Sequence, residues 1–213
     1  MREEEMETLN PFFTIWLSTR KTIRYVLDYK DLRYSLIIAA VAGIPNAIGA
    51  IGEWEKKFDI SLWLVLIGII LLGPLLSLIG LPIGAAIYTF VGKWFGGTGK
   101  FKEMVQAIGI NMIPIIWMTP YYILSAIIAR NGFADMTTGP ISASAIGWSL
   151  FSFFIMTAFG IWMIIIQSKA IGEVHQFSSW KGFATLIIPS IIIGMIVFII
   201  MLIFIFSFIG GPY

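Results

Sequence analysis

Residues 96–100 read Gly-Gly-Thr-Gly-Lys, and they are the stretch whose residue types most suggest a chemical site. Glycine-rich turns that end in lysine can hold a phosphate on backbone N–H groups. The phosphate-binding motif also needs a glycine at position 94 and a serine or threonine at position 101, where this chain has Trp94 and Phe101. The pattern therefore favours a plain reverse turn, with glycines that allow a positive φ, over nucleotide binding.

His175 is the only histidine of the chain, and Glu173 lies two residues before it. A metal ion needs further ligands, which the predicted loop from 169 to 182 does not offer. The chain has no cysteine, so a thiol nucleophile and a Cys–zinc site are excluded. We expect a solvated histidine, no metal and no cofactor.

The long apolar segments carry no ionisable side chain other than tyrosine. Catalysis needs positioned acids, bases or nucleophiles, and ion-coupled transport usually needs a charged residue inside the membrane. The sequence therefore predicts that the protein is not an enzyme, and it argues against ion-coupled transport.

Four amide side chains form a candidate polar cluster inside the membrane. They are Asn46, Gln106, Asn111 and Gln167. Asn111 lies three residues before Pro114, and its amide can satisfy a carbonyl left free by the missing proline donor. We favour this structural role over a ligand role.

Composition indicates that the helices bury their apolar surface against lipid. The chain is 58% hydrophobic and only 12% charged, about half the charged fraction typical of soluble domains. Its net charge of +2 is too small to suggest nucleic acid. These values predict an all-α, polytopic membrane protein.

Five apolar stretches are long enough to cross a bilayer. They are residues 34–52, 62–92, 104–129, 142–168 and 183–208. The second contains two prolines, and we expect one kinked span there rather than a re-entrant pair. Two small-residue faces allow close helix approach, one formed by Ala39, Gly43 and Ala47 and one by Gly80 and Gly84.

Residues 1–33 are predicted to form a cytosolic tail and an amphipathic helix from 11 to 30, ahead of a five-span domain at 34–213. The apolar stripe of this helix comprises Phe12, Ile15, Trp16, Thr19, Ile23, Val26 and Leu27. Arg20, Lys21 and Arg24 flank the stripe and can reach anionic headgroups. We favour an in-plane position at the lipid interface over a helix packed under the bundle.

Lysine and arginine set the predicted orientation. Eleven of them fall in the N-terminal segment and in the loops at 93–103 and 169–182, against three on the other side. The positive-inside rule then places the N-terminus in the cytoplasm and the C-terminus outside. We expect the membrane to be the plasma membrane. The loop lysines Lys93, Lys100 and Lys102 become candidate contacts for a cytosolic partner or lipid.

Three stretches together resemble the Yip family, five-span proteins named for interaction with Ypt/Rab small GTPases. The first is 15–24, Ile-Trp-Leu-Ser-Thr-Arg-Lys-Thr-Ile-Arg; the second is 92–101 with the following helix to Pro114; the third is 170–178, Ala-Ile-Gly-Glu-Val-His-Gln-Phe-Ser. The resemblance implies a cytosolic N-terminus and no established catalysis. Eukaryotic relatives act in vesicle traffic with a long N-terminal region, whereas this chain has 33 residues before the first span and resembles a short prokaryotic member. A short N-terminal region does not favour binding of small GTPases. Some bacterial relatives assist membrane transporters.

Two functions remain open at this point. The first is a non-enzymatic scaffold or adaptor that binds a membrane-protein partner, or a second copy of itself, through small-residue faces and cytosolic loops. The second is a permease or lipid-moving protein that uses a polar cavity among the four amides. Contact with the lipid bilayer follows from either.

Overall fold

The computed structural model describes residues 9–48, 59–130 and 143–209, and all regular structure in them is α-helical. The helices are α1 (Pro11–Thr14), α2 (Thr19–Tyr29), α3 (Leu32–Ile48), α4 (Leu62–Trp94), α5 (Phe101–Ile110), α6 (Ile113–Trp117), α7 (Thr119–Arg130), α8 (Ala143–Val174) and α9 (Ser179–Ile209). The all-α prediction is thus confirmed for the described residues.

Three of these helices are long and apolar enough to cross a membrane, namely α4, α8 and α9 as far as Phe206. A fourth crossing results if Phe101–Trp117 and Thr119–Ile128, which meet at 49°, form one bent span. Helix α3 is apolar but has 17 residues, fewer than the roughly 20 of a typical span. The chain is a multi-pass membrane protein, and five spans stays a prediction, because residues 49–52 of the first predicted span lie outside the described residues.

Helix α4 is continuous over 33 residues and contains Pro74 and Pro82, as expected for one span rather than a re-entrant pair. It packs against α3 where Gly43 faces Gly73. A Cβ atom at Gly73 would lie 2.6 Å from the Gly43 carbonyl oxygen and 3.3 Å from the Ala47 Cβ. The close-approach face predicted on the first span is therefore used inside the molecule.

The second small-residue face is not used for packing within the described residues. A Cβ atom at Gly80 would meet no atom within 4 Å, and one at Gly84 would meet only the Tyr88 ring at 3.9 Å. Internal packing, one of the two roles open to this face, is therefore not seen among the described residues, and contact of the face with a partner stays a prediction. The close approach on α4 instead falls two helical turns earlier, because that is where α3 crosses it.

The third predicted span is broken. Pro114 lies in the first turn of α6, and Pro120 lies in the first turn of α7. Because proline has no N–H donor and is tolerated best at the start of a helix, each one begins a new segment. The polar end of this region, α5, packs against α2, α3, α4 and α8.

The N-terminal region is two helices instead of one. Asn10 caps α1 by accepting a hydrogen bond from the Phe12 N–H at 3.1 Å, and α2 begins only at Thr19. On the apolar stripe, Ile15, Ile23 and Val26 are fully buried in the protein core. The structure thus does not confirm a position of this stripe in the lipid interface. It shows the alternative that the sequence favoured less, a helix packed under the bundle.

The segment predicted as a loop at 169–182 is mostly helical. Helix α8 continues to Val174 and α9 begins at Ser179, so only residues 175–178 form the turn. The predicted loop was too long because charged side chains also occur in the last turn of a helix when they have partners there. This turn contains the histidine.

Candidate functional site

The three stretches that carried the family resemblance meet at one end of the helix bundle. Helix α2 and the Gly-rich loop (residues 92–100, which begins in the last turn of α4) each contact the end of α8 and the turn that follows it. We call this region the polar junction and define it by the Gly-rich loop together with Arg20, Arg24, Glu173 and His175. Within the described ranges, no group of three His, Asp or Glu could hold a metal ion.

His175 is the centre of the polar junction and is 1% exposed. Its Nδ1 accepts a hydrogen bond from the Gly99 N–H at 3.1 Å. The other ring nitrogen, Nε2, lies 3.1 Å from the Tyr88 carbonyl oxygen and must donate to it. The imidazole is therefore neutral with its proton on Nε2, and the expectation of a solvated histidine is wrong.

The glycines of the Gly-rich loop are needed mainly because His175 is so close. A Cβ atom at Gly92 or Gly97 would overlap the imidazole, and one at Gly99 would lie 2.7 Å from a Val174 methyl. Gly96 is the one glycine in the described residues with a positive φ, at 78°. The reversal of the chain thus requires one glycine at position 96, the fit around the imidazole requires two, and the fit against Val174 requires Gly99.

The position of His175 also determines its protonation. Burial lowers its pKa below the ordinary value of 6.5, the hydrogen bond to the Tyr88 carbonyl raises it, and the positive charge of Lys93 lowers it. The net shift is downward, so the imidazole stays neutral at physiological pH. A neutral ring is the form that can accept from the Gly99 N–H.

Glu173 joins α2 to the end of α8. The Arg20 Nη1 lies 3.2 Å from one carboxylate oxygen, and the Arg24 Nε donates to the other at 2.7 Å. Arg20 also donates to the Phe177 carbonyl at 2.8 Å and to the Ser179 hydroxyl at 3.1 Å. The carboxylate is 6% exposed, whereas the two arginine side chains are 38% and 53% exposed, so water screens the arginine side of the pairs.

A cleft of about 480 Å³ opens beside this ion-pair cluster. Its charged lining consists of Arg24, Asp28, Lys100, Glu103 and Glu173. Two positive and three negative groups in one open cleft suit a polar protein segment better than a single anion or cation.

The predicted contact residues lie on the outer side of the same region. Lys93 and Lys102 are exposed, and the Lys100 side chain is 80% exposed with Glu103 at 3.8 Å. Lys21 is exposed on α2. Arg20 and Arg24, which we expected at lipid headgroups, turn to Glu173 and keep part of their surface exposed.

The four amides do not form one cluster. The Asn111 amide donates to Gln167, whereas Gln106 donates to the Lys30 carbonyl at 3.0 Å. Asn46 is exposed beside a separate cavity of about 320 Å³ between α3 and α4. Asn111 is therefore a link between α5 and α8, although we expected it to serve a carbonyl near Pro114.

Reasoning from the sequence missed Glu173 and His175 as the residues that hold the polar junction together. Two signals were available: these two ionisable side chains lie at the end of a long apolar segment, and the Gly-rich loop has more glycines than a reverse turn requires. Neither pattern says that the two segments are in contact, because Gly99 and His175 are 76 residues apart.

A family model described as Yip1 domain matches residues 13–202. This range includes all three resembling stretches and every residue of the polar junction. Comparisons with curated proteins and with solved structures give no match.

Proposed function

The chain belongs to the Yip1 domain family, and from this premise we propose that it is a non-enzymatic membrane adaptor that assists a membrane-protein partner. The observation that supports the proposal most is the construction of the Gly-rich loop. His175 and Val174 hold its inner side, while Lys93 and Lys100 are exposed on its outer side. A loop that is fixed from within and charged outside presents a preorganised contact surface, which lowers the entropic cost of binding.

The surface near the Gly-rich loop is also aromatic. Trp94 is 58% exposed and Phe101 is 48% exposed. Aromatic side chains next to basic ones are typical both of protein interfaces and of the membrane–water boundary. The neighbouring cleft of mixed charge adds hydrogen-bonding groups for a polar segment of the partner. We therefore propose that the partner contacts the loop and the cleft together.

We further propose five spans within residues 34–213, with residues 1–33 and the Gly-rich loop in the cytoplasm and the C-terminus outside the plasma membrane. The unequal distribution of Lys and Arg supports this orientation. Only a cytoplasmic position would let the loop meet a cytosolic part of the partner.

The orientation can be tested by cysteine labelling, because the chain has no cysteine of its own. In the variant Thr98→Cys we expect no reaction with a membrane-impermeant maleimide in intact cells and full reaction after permeabilisation, since Thr98 is exposed on the Gly-rich loop. Labelling in intact cells would reverse the proposed orientation.

The adaptor role is tested by replacing Lys93, Lys100 and Lys102 with serine together. We expect the purified variant to keep its thermal midpoint, because exposed side chains contribute little to stability. Recovery of the partner from native membranes, measured by quantitative mass spectrometry, should fall about tenfold or more, since rim charges steer association.

The matched control replaces the same three lysines with arginine, which keeps the charge and should keep the partner. If the serine variant retains every partner, and the purified wild type alone moves a lipid or solute across vesicles, the adaptor proposal fails. The permease function would then take its place.

A further inference from the structure

Two cavities adjoin at the end of α8 where it meets α2 and α9. One is an apolar groove of about 430 Å³, which lies between α8 and α9 and is lined mainly by Ile161, Ile164, Ile165, Trp180 and Phe183. The other is a basic pocket of about 260 Å³ at the start of α2. Lys169 lines both of them, so the groove and the pocket share one wall.

A hydrogen bond makes a second connection between the two cavities. Arg20 lines the basic pocket, Ser179 lines the apolar groove, and the arginine donates to the Ser179 hydroxyl at 3.1 Å. The basic pocket thus forms the polar end of the apolar groove, and a single ligand can occupy both.

The charge of the basic pocket is of one sign. Its lining includes Arg20, Lys21 and Lys169 and no acidic residue. Arg20 is already paired with Glu173, whereas Lys21 and Lys169 make no ion pair within the described parts of the chain. Two ammonium groups in one pocket, with no acidic residue in its lining, would attract a phosphate.

The apolar groove has the dimensions and position of a site for an acyl chain. From Lys169 to Ile161 the helix advances eight residues, which corresponds to about 12 Å at 1.5 Å per residue. Trp180, which is 80% exposed, stands at the level of the lysine, where tryptophan collects at the membrane–water boundary. The groove therefore runs from the headgroup level into the apolar part of a span.

We propose that the groove and the pocket together form a binding site for one anionic phospholipid, with its phosphate at Lys21 and Lys169 and an acyl chain against α8 and α9. A zwitterionic lipid fills the groove equally well but brings a positive group to the pocket. The site therefore selects by headgroup charge. This inference does not depend on the adaptor role.

The test uses the purified full-length protein with phosphatidylglycerol or phosphatidylcholine of equal chain length, and bound lipid is counted by native mass spectrometry. We expect the wild type to retain phosphatidylglycerol preferentially. In the double variant Lys21→Gln/Lys169→Gln, retention should fall about fivefold for each lysine, the factor that corresponds to roughly 1 kcal/mol per basic residue near a charged surface. Ile165→Trp, which fills the groove, should reduce retention of both lipids.

The matched control is Arg33→Gln, which removes an exposed basic residue outside both cavities and should bind like the wild type. If Lys21→Gln/Lys169→Gln retains phosphatidylglycerol at the wild-type level, the site does not exist. Displacement of the bound lipid by inorganic phosphate alone would also overturn the proposal, because it would reveal an ion site without acyl-chain recognition. The double lysine variant and the Arg33 control alter side chains that have exposed surface, so they test the site without disturbing the core.

Discussion

Replacing Gly43 with alanine is expected to leave little folded protein. A Cβ atom at this position would overlap the Gly73 carbonyl, lie 2.6 Å from its carbon and come within 2.9 Å of the Pro74 nitrogen. All three atoms belong to the backbone of α4, so no side chain can move aside and the two helices must separate. We expect a cost at or above the upper end of the about 1–3 kcal/mol typical of overpacking.

This result is measured as the fraction of monodisperse protein after extraction and as the thermal midpoint of that fraction. Gly80→Ala is the matched control, because an added Cβ there meets nothing within 4 Å and the residue is also helical. Alanine should even favour the helix at position 80. Equal yield and equal midpoints for the two variants would contradict the packing of α3 on α4.

Replacing His175 with alanine is expected to lower stability by about 2–5 kcal/mol. The change empties a fully enclosed site between the Gly-rich loop and α8, and it leaves the Gly99 N–H and the Tyr88 carbonyl without their partner. The loop then loses its inner support. Thermal unfolding measures the loss, and limited proteolysis should show faster cleavage within residues 92–100.

The same histidine predicts a pH dependence of stability. Its pKa is lowered in the folded protein relative to the ordinary 6.5, so the unfolded chain binds more protons in the interval between the two values. The contribution is fully present above pH 6.5 and is lost progressively as the pH falls toward the folded-state pKa.

His175→Gln is the control for this effect. Glutamine retains one donor and one acceptor but does not titrate, so the slope of stability against pH below 6.5 should flatten while some loop protection returns. An unchanged slope in this variant would show that another group is responsible. Unchanged stability in His175→Ala would show that the histidine does not hold the loop.

The sequence was sufficient for features that depend on local composition. Runs of apolar residues identified the chain as a membrane protein and predicted its long helices. A stretch of about 20 apolar residues indicates a membrane-spanning helix whichever other helices pack against it. The repeat of Ala39, Gly43 and Ala47 predicted a face for close approach, and that face packs on α4. Asn10 and Pro11 predicted a helix start, and Asn10 caps α1.

The tertiary structure alone decided what covers each face. The stripe with Ile15, Ile23 and Val26 has the same periodicity whether lipid or protein lies against it, because both are apolar. Gly80 and Gly84 have the spacing of a packing motif, yet no neighbouring helix in the described part of the chain comes within 4 Å of a Cβ atom added at either position.

The polar junction could not be derived from the sequence for a related reason. Glu173 meets Arg20 and Arg24 across separations of 153 and 149 residues, and no local pattern specifies such a pairing. Isolated charges at the end of an apolar segment are usually hydrated, which made a solvated histidine the natural expectation. Here α2 and the Gly-rich loop exclude water from that end of α8, so the carboxylate of Glu173 and the neutral imidazole of His175 are buried and hold the neighbouring segments together.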